Sequence, residues 1–372
     1  MKRKNFSFIA GFVLICILLF VMYDIYAPFF ADFNTMVRRN GENLMIGNQT
    51  FRAVGVNDYD LAYQNNSVIA QTFAQLHNAG VTTVRFWLFG DGISNGFQPT
   101  AGDFNKTRFK QTDYVIYEAK KYNIKLIPTL VNNWTDYGGK DQYIKWIGEN
   151  PATDETIFYT NNQIKSLFEN YISYVLSRKN TYTNVTYADD PTILAWDIMN
   201  EPRSTDQNAM NNWLISIAEF IKQHDPNHLV MAGTENAIVT GNNPKDDGKS
   251  SDLCANSAID ICSTHLYLFN NTQPLFTNYN EVTDFIETQA NYAKQVNKPL
   301  LLEEFGIAQD TIPFGENQLA MMKQIINDSK KDGYAGYIVW DWSNTSTSSF
   351  TFSPHGDTNG NYSLSDLKKL IN

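Results

Sequence analysis

Residues 193–203 of the chain read ILAWDIMNEPR, and residues 299–306 read PLLLEEFG. Each stretch starts as an apolar run of the length of a buried strand, and each ends in carboxylates. Glu201 follows the first run, and Glu303 and Glu304 finish the second. In barrels of parallel strands the active site forms where the strands end, so polar residues at these points are informative. The two stretches therefore predict two strands that deliver carboxylates to one site.

Apolar runs of the same kind recur along the whole chain. They lie at residues 51–57, 81–89, 125–131, 193–200, 229–235, 261–267, 299–306 and 336–342. Segments with apolar residues at helical spacing lie between them, at residues 66–78, 109–121, 162–177, 206–223, 281–295 and 318–331. This alternation is typical of repeated βα units, and eight strands predict an α/β fold of the closed (β/α)8 type, the TIM barrel. A doubly wound open sheet is the alternative, but the Gly-rich phosphate loop that usually accompanies it does not follow the first run.

The start of the chain has a different character. Residues 6–23 are almost entirely apolar and follow Lys2, Arg3 and Lys4, a pattern typical of a segment that enters a membrane. We interpret residues 1–33 as a signal-anchor with a short linker, and a cleaved signal peptide is the alternative. Either interpretation predicts an extracellular protein, secreted or tethered to the outer side of the cytoplasmic membrane, with membrane contact through this segment only. Turn signals at residues 36–49 predict a small hairpin, and residues 34–372 form one predicted catalytic domain.

The amino-acid composition of the chain limits the kinds of partner that the protein is expected to bind. A formal net charge of −10 argues against nucleic acid, because phosphate backbones are bound by clustered Lys and Arg. Aromatic residues make up 14% of the chain, more than packing alone requires, and flat rings suit sugar-binding clefts. Cys254 and Cys262 are candidates for a local disulfide in an oxidising compartment. Asn-x-Ser/Thr sequons, which permit glycosylation, occur at Asn48, Asn65, Asn105, Asn133, Asn184, Asn270, Asn327, Asn344 and Asn361.

A pair of carboxylates at one barrel mouth points to glycoside hydrolysis. One carboxylic acid protonates the leaving oxygen, while the other carboxylate attacks or directs water at the anomeric carbon. For each Glu alone, a helix cap or an ion pair is the competing interpretation. Considered together with the ends of the other predicted strands, the two glutamates favour the catalytic interpretation.

Together these motifs resemble glycoside hydrolase family 5, and within it the endo-β-1,4-mannanases. The Asn-Glu-Pro of residues 200–202 is common to many related barrels, whereas NNWTDYGGK at residues 132–140, after Gln98 and Pro99, is more specific to mannanases. Further matches lie at residues 84–87, 196–203, 263–267, 303–306 and 339–340.

The resemblance implies that Glu201 is the general acid/base and Glu304 the nucleophile of a retaining mechanism, with Glu303 a bystander. Retention predicts carboxyl groups about 5 to 5.5 Å apart. We expect burial to raise the pKa of Glu201, and Arg85 to keep Glu304 ionised.

The resemblance also implies a set of substrate-binding residues. Asn200 is expected to bind the sugar 2-hydroxyl, Tyr267 to donate to the nucleophile, and Arg203 to reach the leaving-group side. The full set is Arg85, Trp87, Trp134, Asn200, Arg203, His265, Tyr267 and Trp340. The competing interpretations are that the tryptophans and His265 belong to the core, that Arg85 is an ordinary surface cation, and that Arg203 pairs with a nearby acid.

No cofactor and no metal are predicted. His224 and His228 have the spacing of a helical zinc site, but Pro226 breaks a helix between them and no Glu follows His224.

The predicted reaction is therefore endo-acting hydrolysis of internal β-1,4-mannosidic bonds in mannan, galactomannan or glucomannan. An endo-β-1,4-glucanase of the same family is the main alternative, and a non-catalytic carbohydrate-binding protein is the other.

Overall fold

The structure is a computed structural model that describes residues 34–238, 250–270, 273–344, 348–354 and 362–372. The predicted signal-anchor at residues 1–33 lies outside the described residues and stays a prediction. Among the described residues, no helix combines the length and the apolar character needed to cross a membrane.

Eight parallel strands of the described chain form one sheet that closes into a barrel. In chain order the barrel strands are Ala53–Asn57, Thr83–Trp87, Lys125–Thr129, Ala195–Asp197, Leu229–Met231, Cys262–Tyr267, Leu300–Gly306 and Gly336–Trp340. The eighth strand pairs with the first, and a bridge between Met231 and Ile261 joins the fifth strand to the sixth. Each strand lies inside a run predicted from the sequence, so the (β/α)8 prediction is confirmed.

Helices surround the barrel. They are Asn66–Ala79, Lys106–Lys121, Gly139–Trp146, Ile157–Thr160, Asn162–Ser177, Gln207–His224, Ser250–Ala255, Tyr279–Gln295, Gln318–Lys331 and Leu364–Ile371, with short 3-10 turns at Leu61–Tyr63, Tyr187–Asp189 and Pro313–Gly315. The six helices predicted from periodicity are all present. Gly139–Trp146, Ile157–Thr160, Ser250–Ala255 and Leu364–Ile371 were not predicted, because a run of one or two turns is too short to show helical periodicity.

Asparagine side chains decide where many of these helices begin. The asparagines whose side chains accept a hydrogen bond from the first turn are Asn65, Asn105, Asn161, Asn278 and Asn317, and Asp206 and Ser363 cap their helices in the same way. An oxygen in this position satisfies a backbone N–H that the helix itself leaves without a partner. At Asn65 and Asn105 this capping role accounts for the residue independently of the glycosylation sequon.

The predicted hairpin before the first barrel strand is also present. Val37–Asn40 pairs antiparallel with Asn43–Ile46, and Gln49–Phe51 adds a third strand. The buried side chains of Leu44 and Ile46 share a hydrophobic cluster with strand residues such as Leu301. The hairpin therefore covers the end of the barrel opposite the strand ends that carry the polar residues. Two further small ladders pair Phe269–Asn270 with Gln273–Pro274 and Phe352–Ser353 with Tyr362–Ser363.

Cys254 and Cys262 form a disulfide, with their Cα atoms 5.3 Å apart. The bond ties the helix Ser250–Ala255 to the first residue of the sixth barrel strand. We expect Cys254→Ser to lower the free energy of unfolding by about 2 to 3 kcal/mol, because the short closed loop restricts the unfolded chain. Chemical denaturation of the variant measures this. A wild-type protein whose stability is unaffected by a reducing agent would contradict it.

Candidate active site

A cleft of about 660 Å³ opens at the carboxyl ends of the barrel strands. The predicted site residues that line it are Trp87, Trp134, Asn200, Glu201, Arg203, Tyr267, Glu304 and Trp340. Arg85 and His265 are not among the lining residues, since they are 0% and 6% exposed. Both side chains lie behind the lining and contact its carboxylates, and their contact with substrate stays a prediction.

Glu201 and Glu304 face each other across the cleft. One carboxylate oxygen of each and one ring nitrogen of His265 all lie within 4.8 Å of one another. Glu304 belongs to the seventh barrel strand, and Glu201 follows the fourth. A carboxylate pair this close leaves no room for a water between the carboxylates and a sugar, so the spacing is typical of a retaining rather than an inverting arrangement.

The backbone around Glu201 is unusual. Glu201 has a φ of +50°, a conformation that side chains other than Gly rarely adopt. Its N–H donates to the carbonyl of Gly233, 3.0 Å away. A Cβ at Gly233 would lie 2.0 Å from the carbonyl oxygen of Met199, so this close approach requires glycine. The turn after the fourth strand is thus held by the turn after the fifth.

Glu304 is held by a cation and a hydroxyl. Arg85 Nη1 lies 2.5 Å from Glu304 Oε1, and the hydroxyl of Tyr267 donates to Glu304 Oε2 at 2.9 Å. Burial raises the pKa of Glu304, and the neighbouring His265 and Arg85 lower it without cancelling the increase. Arg85 therefore opposes, but does not reverse, the effect of burial on the pKa.

The pKa of Glu201 differs from our expectation. Burial does raise its pKa, but hydrogen bonds from His265 Nδ1 at 2.9 Å and Trp134 Nε1 at 2.6 Å outweigh that effect and lower the pKa to about 2. The expected increase in the pKa of Glu201 is therefore wrong. Burial alone lowers the pKa of His265, yet Glu304, Glu201 and Glu303 raise it well above its usual value. The proton of this pair thus resides on His265.

A second ion pair lies beside Glu201. Arg203 donates to both oxygens of Glu235, from Nε at 2.7 Å and from Nη2 at 2.5 Å, and its guanidinium lies 4.9 Å from the ring centre of Trp134. Burial and the charge of Glu201 raise the pKa of Glu235 to about 7, against the lowering effect of Arg203. Sequence reasoning missed Glu235 as a site residue, although it ends the fifth predicted strand and that position was the available signal.

Aromatic rings form the other side of the cleft. Trp340 stacks on Tyr59, with ring centres 5.6 Å apart and planes 18° apart, and Trp87 lies 5.9 Å from Trp340. Trp134 is 41% exposed, so the core interpretation is rejected for it, whereas Trp87 is largely buried. Tyr59 was also missed, because it follows the first strand in a turn without any motif.

Asn200 is fixed at both ends of its amide. Its Oδ1 accepts from Arg85 Nη2 at 3.0 Å, and its Nδ2 donates to Asn132 Oδ1 at 3.0 Å. One hydrogen of Nδ2 is left to point elsewhere. The side chain is therefore oriented before any ligand arrives.

The two histidines with zinc-like spacing bind separate partners. His224 Nδ1 contacts the carbonyl of Phe220, while His228 lies between the carboxylate of Asp225 at 2.6 Å and the carbonyl of Asp190 at 3.0 Å. Among the described residues, Glu201, His265 and Glu304 form the group with donor atoms close enough for a metal. The 2.9 Å contact between His265 and Glu201 is a hydrogen-bond distance, which places a proton between them.

A closed (β/α)8 barrel with two facing carboxylates, an aromatic wall and an open cleft defines a hydrolase of glycosidic bonds. Comparisons with known proteins support this class. Residues 31–348 match the family described as GH family 5 beta-mannosidase-like. The chain therefore belongs to glycoside hydrolase family 5.

Individual relatives agree with the family. A putative mannan endo-1,4-beta-mannosidase 4 of Arabidopsis thaliana is 35% identical over 307 residues, which cover 74% of each chain. The mannan endo-1,4-beta-mannosidase 4 of Solanum lycopersicum is 33% identical over 300 residues, covering 75% of this chain and 74% of the relative. Among solved structures, the endo-1,4-beta-mannanase from Rhizomucor miehei aligns with a TM-score of 0.80 at 28% identity, over 91% of this chain and 98% of that one.

Proposed function

We propose that this protein is an endo-acting, retaining hydrolase of β-1,4-mannan, galactomannan or glucomannan. The observation that carries the mechanism is the facing pair of Glu201 and Glu304 within 4.8 Å. The names of the relatives from Arabidopsis thaliana, Solanum lycopersicum and Rhizomucor miehei support mannan as the substrate.

In the first step, Glu304 attacks the anomeric carbon and Glu201 protonates the leaving oxygen, forming a covalent glycosyl-enzyme. The proton reaches Glu201 from His265 over their 2.9 Å hydrogen bond. In the second step, Glu201 removes a proton from water, which then displaces Glu304. Arg85 and Tyr267 hold the departing carboxylate in place.

The cleft residues divide between the two sides of the cleaved bond. Trp340 and Tyr59 offer ring surfaces for the sugar that is attacked, and the free hydrogen on Asn200 Nδ2 suits its 2-hydroxyl. Arg203, Glu235 and Trp134 surround Glu201, which protonates the leaving group, so they suit the sugars that leave. The stacked rings of Trp340 and Tyr59 on one side and the ion pair of Arg203 and Glu235 on the other therefore give the substrate a direction.

The substrate is tested by comparing reducing-sugar release from galactomannan and carboxymethyl cellulose. We expect release from galactomannan, and activity on cellulose alone would support the glucanase alternative. A product profile on mannohexaose, with the anomeric configuration followed by NMR, tests endo action and retention together. Products that are only mannose, or inverted products, would contradict the proposal.

The proton shared by His265 and Glu201 predicts a specific pH dependence. In the wild type the pair keeps one proton until the pH passes the raised pKa of His265, so activity persists on the alkaline side. In His265→Ala, Glu201 alone must hold the proton, and a carboxyl releases it at lower pH than this imidazole. We expect the alkaline limb of kcat/KM to move to lower pH. An alkaline limb at the same pH in both proteins would contradict this prediction, and thermal melting controls for folding.

We further propose that the enzyme works outside the cytoplasmic membrane, secreted or tethered by its N-terminal segment. The charge and apolar pattern of residues 1–33 supports this location, and so does the disulfide, since disulfides persist in oxidising compartments. Fractionation of cells that express the full chain tests it. Activity in the membrane fraction indicates an anchor, activity in the medium indicates a cleaved signal, and activity confined to the cytoplasm contradicts the proposal.

A further inference from the structure

Arg85 is surrounded by more carboxylates than its one charge neutralises. It contacts Asp197 at 2.8 Å, Glu303 at 2.9 Å and Glu304 at 2.5 Å, and both Asp197 and Glu303 have side chains that are 0% exposed. A buried ion cluster with excess negative charge is costly, because water does not solvate the unpaired charge. His265, which holds a proton, adds a second positive charge, but its ring nitrogens lie within 3.6 Å of Glu201, Glu303 and Glu304. Two cations therefore face four carboxyl groups, and the excess negative charge remains.

The contacts of Arg85 Nε show that Asp197 and Glu303 compete for one hydrogen. This nitrogen carries a single hydrogen, yet it lies 3.0 Å from Asp197 Oδ2 and 2.9 Å from Glu303 Oε1. The hydrogen bond goes to Asp197, and Glu303 Oε1 receives none. Asp197 Oδ1 is also buried without a hydrogen-bond partner. Two carboxyl groups thus meet at one N–H, and each has one oxygen that receives no hydrogen bond.

The other oxygen of Asp197 is fully used. Asp197 Oδ2 accepts from Arg85 Nε at 3.0 Å, from Arg85 Nη2 at 2.8 Å and from Thr129 Oγ1 at 2.7 Å. An added proton on Asp197 therefore belongs on Oδ1. On Glu303, Oε2 lies 3.3 Å from His265 Nε2, so that oxygen is best kept as an acceptor.

We infer that Asp197 carries a proton that it shares with Glu303, so that Glu303 stays a carboxylate and orients His265. Glu303 is then a positioning residue rather than the bystander expected from the sequence. By accepting from His265 Nε2 it turns Nδ1 toward Glu201, which lies 2.9 Å away. The inference rests on the proposed function, because it gives the proton donor of Glu201 its orientation.

The pKa directions agree with this assignment. Burial and the charge of Glu303 raise the pKa of Asp197 to about 7, although Arg85 opposes them. For Glu303 burial raises the pKa, but Arg85, His265 and a hydrogen bond with Asp197 bring it below the usual value. The charged groups that face Asp197 and Glu303 are Arg85 and His265, and Glu304 and Glu201 lie beyond these two cations.

Two isosteric variants separate the roles of the two acids. Asp197→Asn replaces the shared proton with a permanent N–H, and its remaining oxygen still accepts from Arg85 and Thr129. Glu303→Gln places an N–H opposite Arg85 Nε or His265 Nε2, both of which are donors. We expect kcat on mannan to fall by no more than about 10-fold in Asp197→Asn and by about 100-fold in Glu303→Gln, because outer groups that orient reacting ones have effects of this size. We also expect the alkaline limb of kcat to move in Glu303→Gln, which a purely structural role would not produce.

An infrared difference spectrum provides a readout that does not need activity. Wild type minus Asp197→Asn is expected to show the carbonyl stretch of one protonated carboxyl at neutral pH. Its absence, or equal losses of kcat in the two variants, would overturn the inference. If Glu303→Gln does not fold, the infrared comparison still decides. A wild-type protein that does not cleave mannan but shows the protonated carboxyl would refute the proposed function and leave the shared proton intact.

Discussion

Glu304→Ala is expected to lower kcat on mannan by roughly 10⁵- to 10⁶-fold, the scale seen when a catalytic nucleophile is removed. The covalent intermediate forms on this carboxylate, which Arg85 and Tyr267 hold in place. The fold is expected to survive, because Arg85 keeps its contacts with Asp197 and Glu303. Initial rates of reducing-sugar release on galactomannan measure the loss.

The matched control for Glu304→Ala is Glu219→Ala, since Glu219 is exposed on the helix Gln207–His224 and is not among the residues that line the cleft. The control should keep wild-type kcat. Azide adds a chemical test of the role: in Glu304→Ala it can take the place of the nucleophile and give a mannosyl azide of inverted configuration. Full activity in Glu304→Ala would remove the nucleophile assignment.

Glu201→Ala is expected to lower kcat on mannan by about 10²- to 10⁴-fold, the range for a positioned general acid/base. The size of the loss should depend on the leaving group. An aryl mannoside with an acidic phenol departs without protonation, so its first step should remain fast and the glycosyl-enzyme should accumulate as a burst. Rapid-quench measurement of the released phenol detects this burst.

Azide again distinguishes the roles. In Glu201→Ala it should attack the glycosyl-enzyme without a general base and give a mannosyl azide of retained configuration, the opposite stereochemistry to that expected from Glu304→Ala. The same azide product from both variants would contradict the division of roles between the two glutamates. Loss of activity toward the aryl mannoside and mannan alike in Glu201→Ala would indicate damage to the fold, which thermal melting of the variant would reveal.

Much of the architecture was predictable because it depends on local pattern. Continuous apolar runs such as residues 299–306 are required wherever a strand is buried on both faces, and the runs alternate with helical periodicity along the chain. Glu201 and Glu304 were recognisable for the same reason, since each directly ends such a run. The sequence alone therefore determined the barrel, the family and the pair of carboxylates.

The protonation of the site was decided only by the tertiary structure. Our sequence-based expectation had the wrong direction for the pKa of Glu201, and it treated Glu303 as a bystander. It also missed Glu235, whose partner Arg203 follows a different strand. A pKa depends on the charges and donors within a few ångströms, and in a barrel these come from strands that are distant along the chain. Which acid holds a proton is thus a property of the assembled strand ends, because no single segment contains the groups that compete for it.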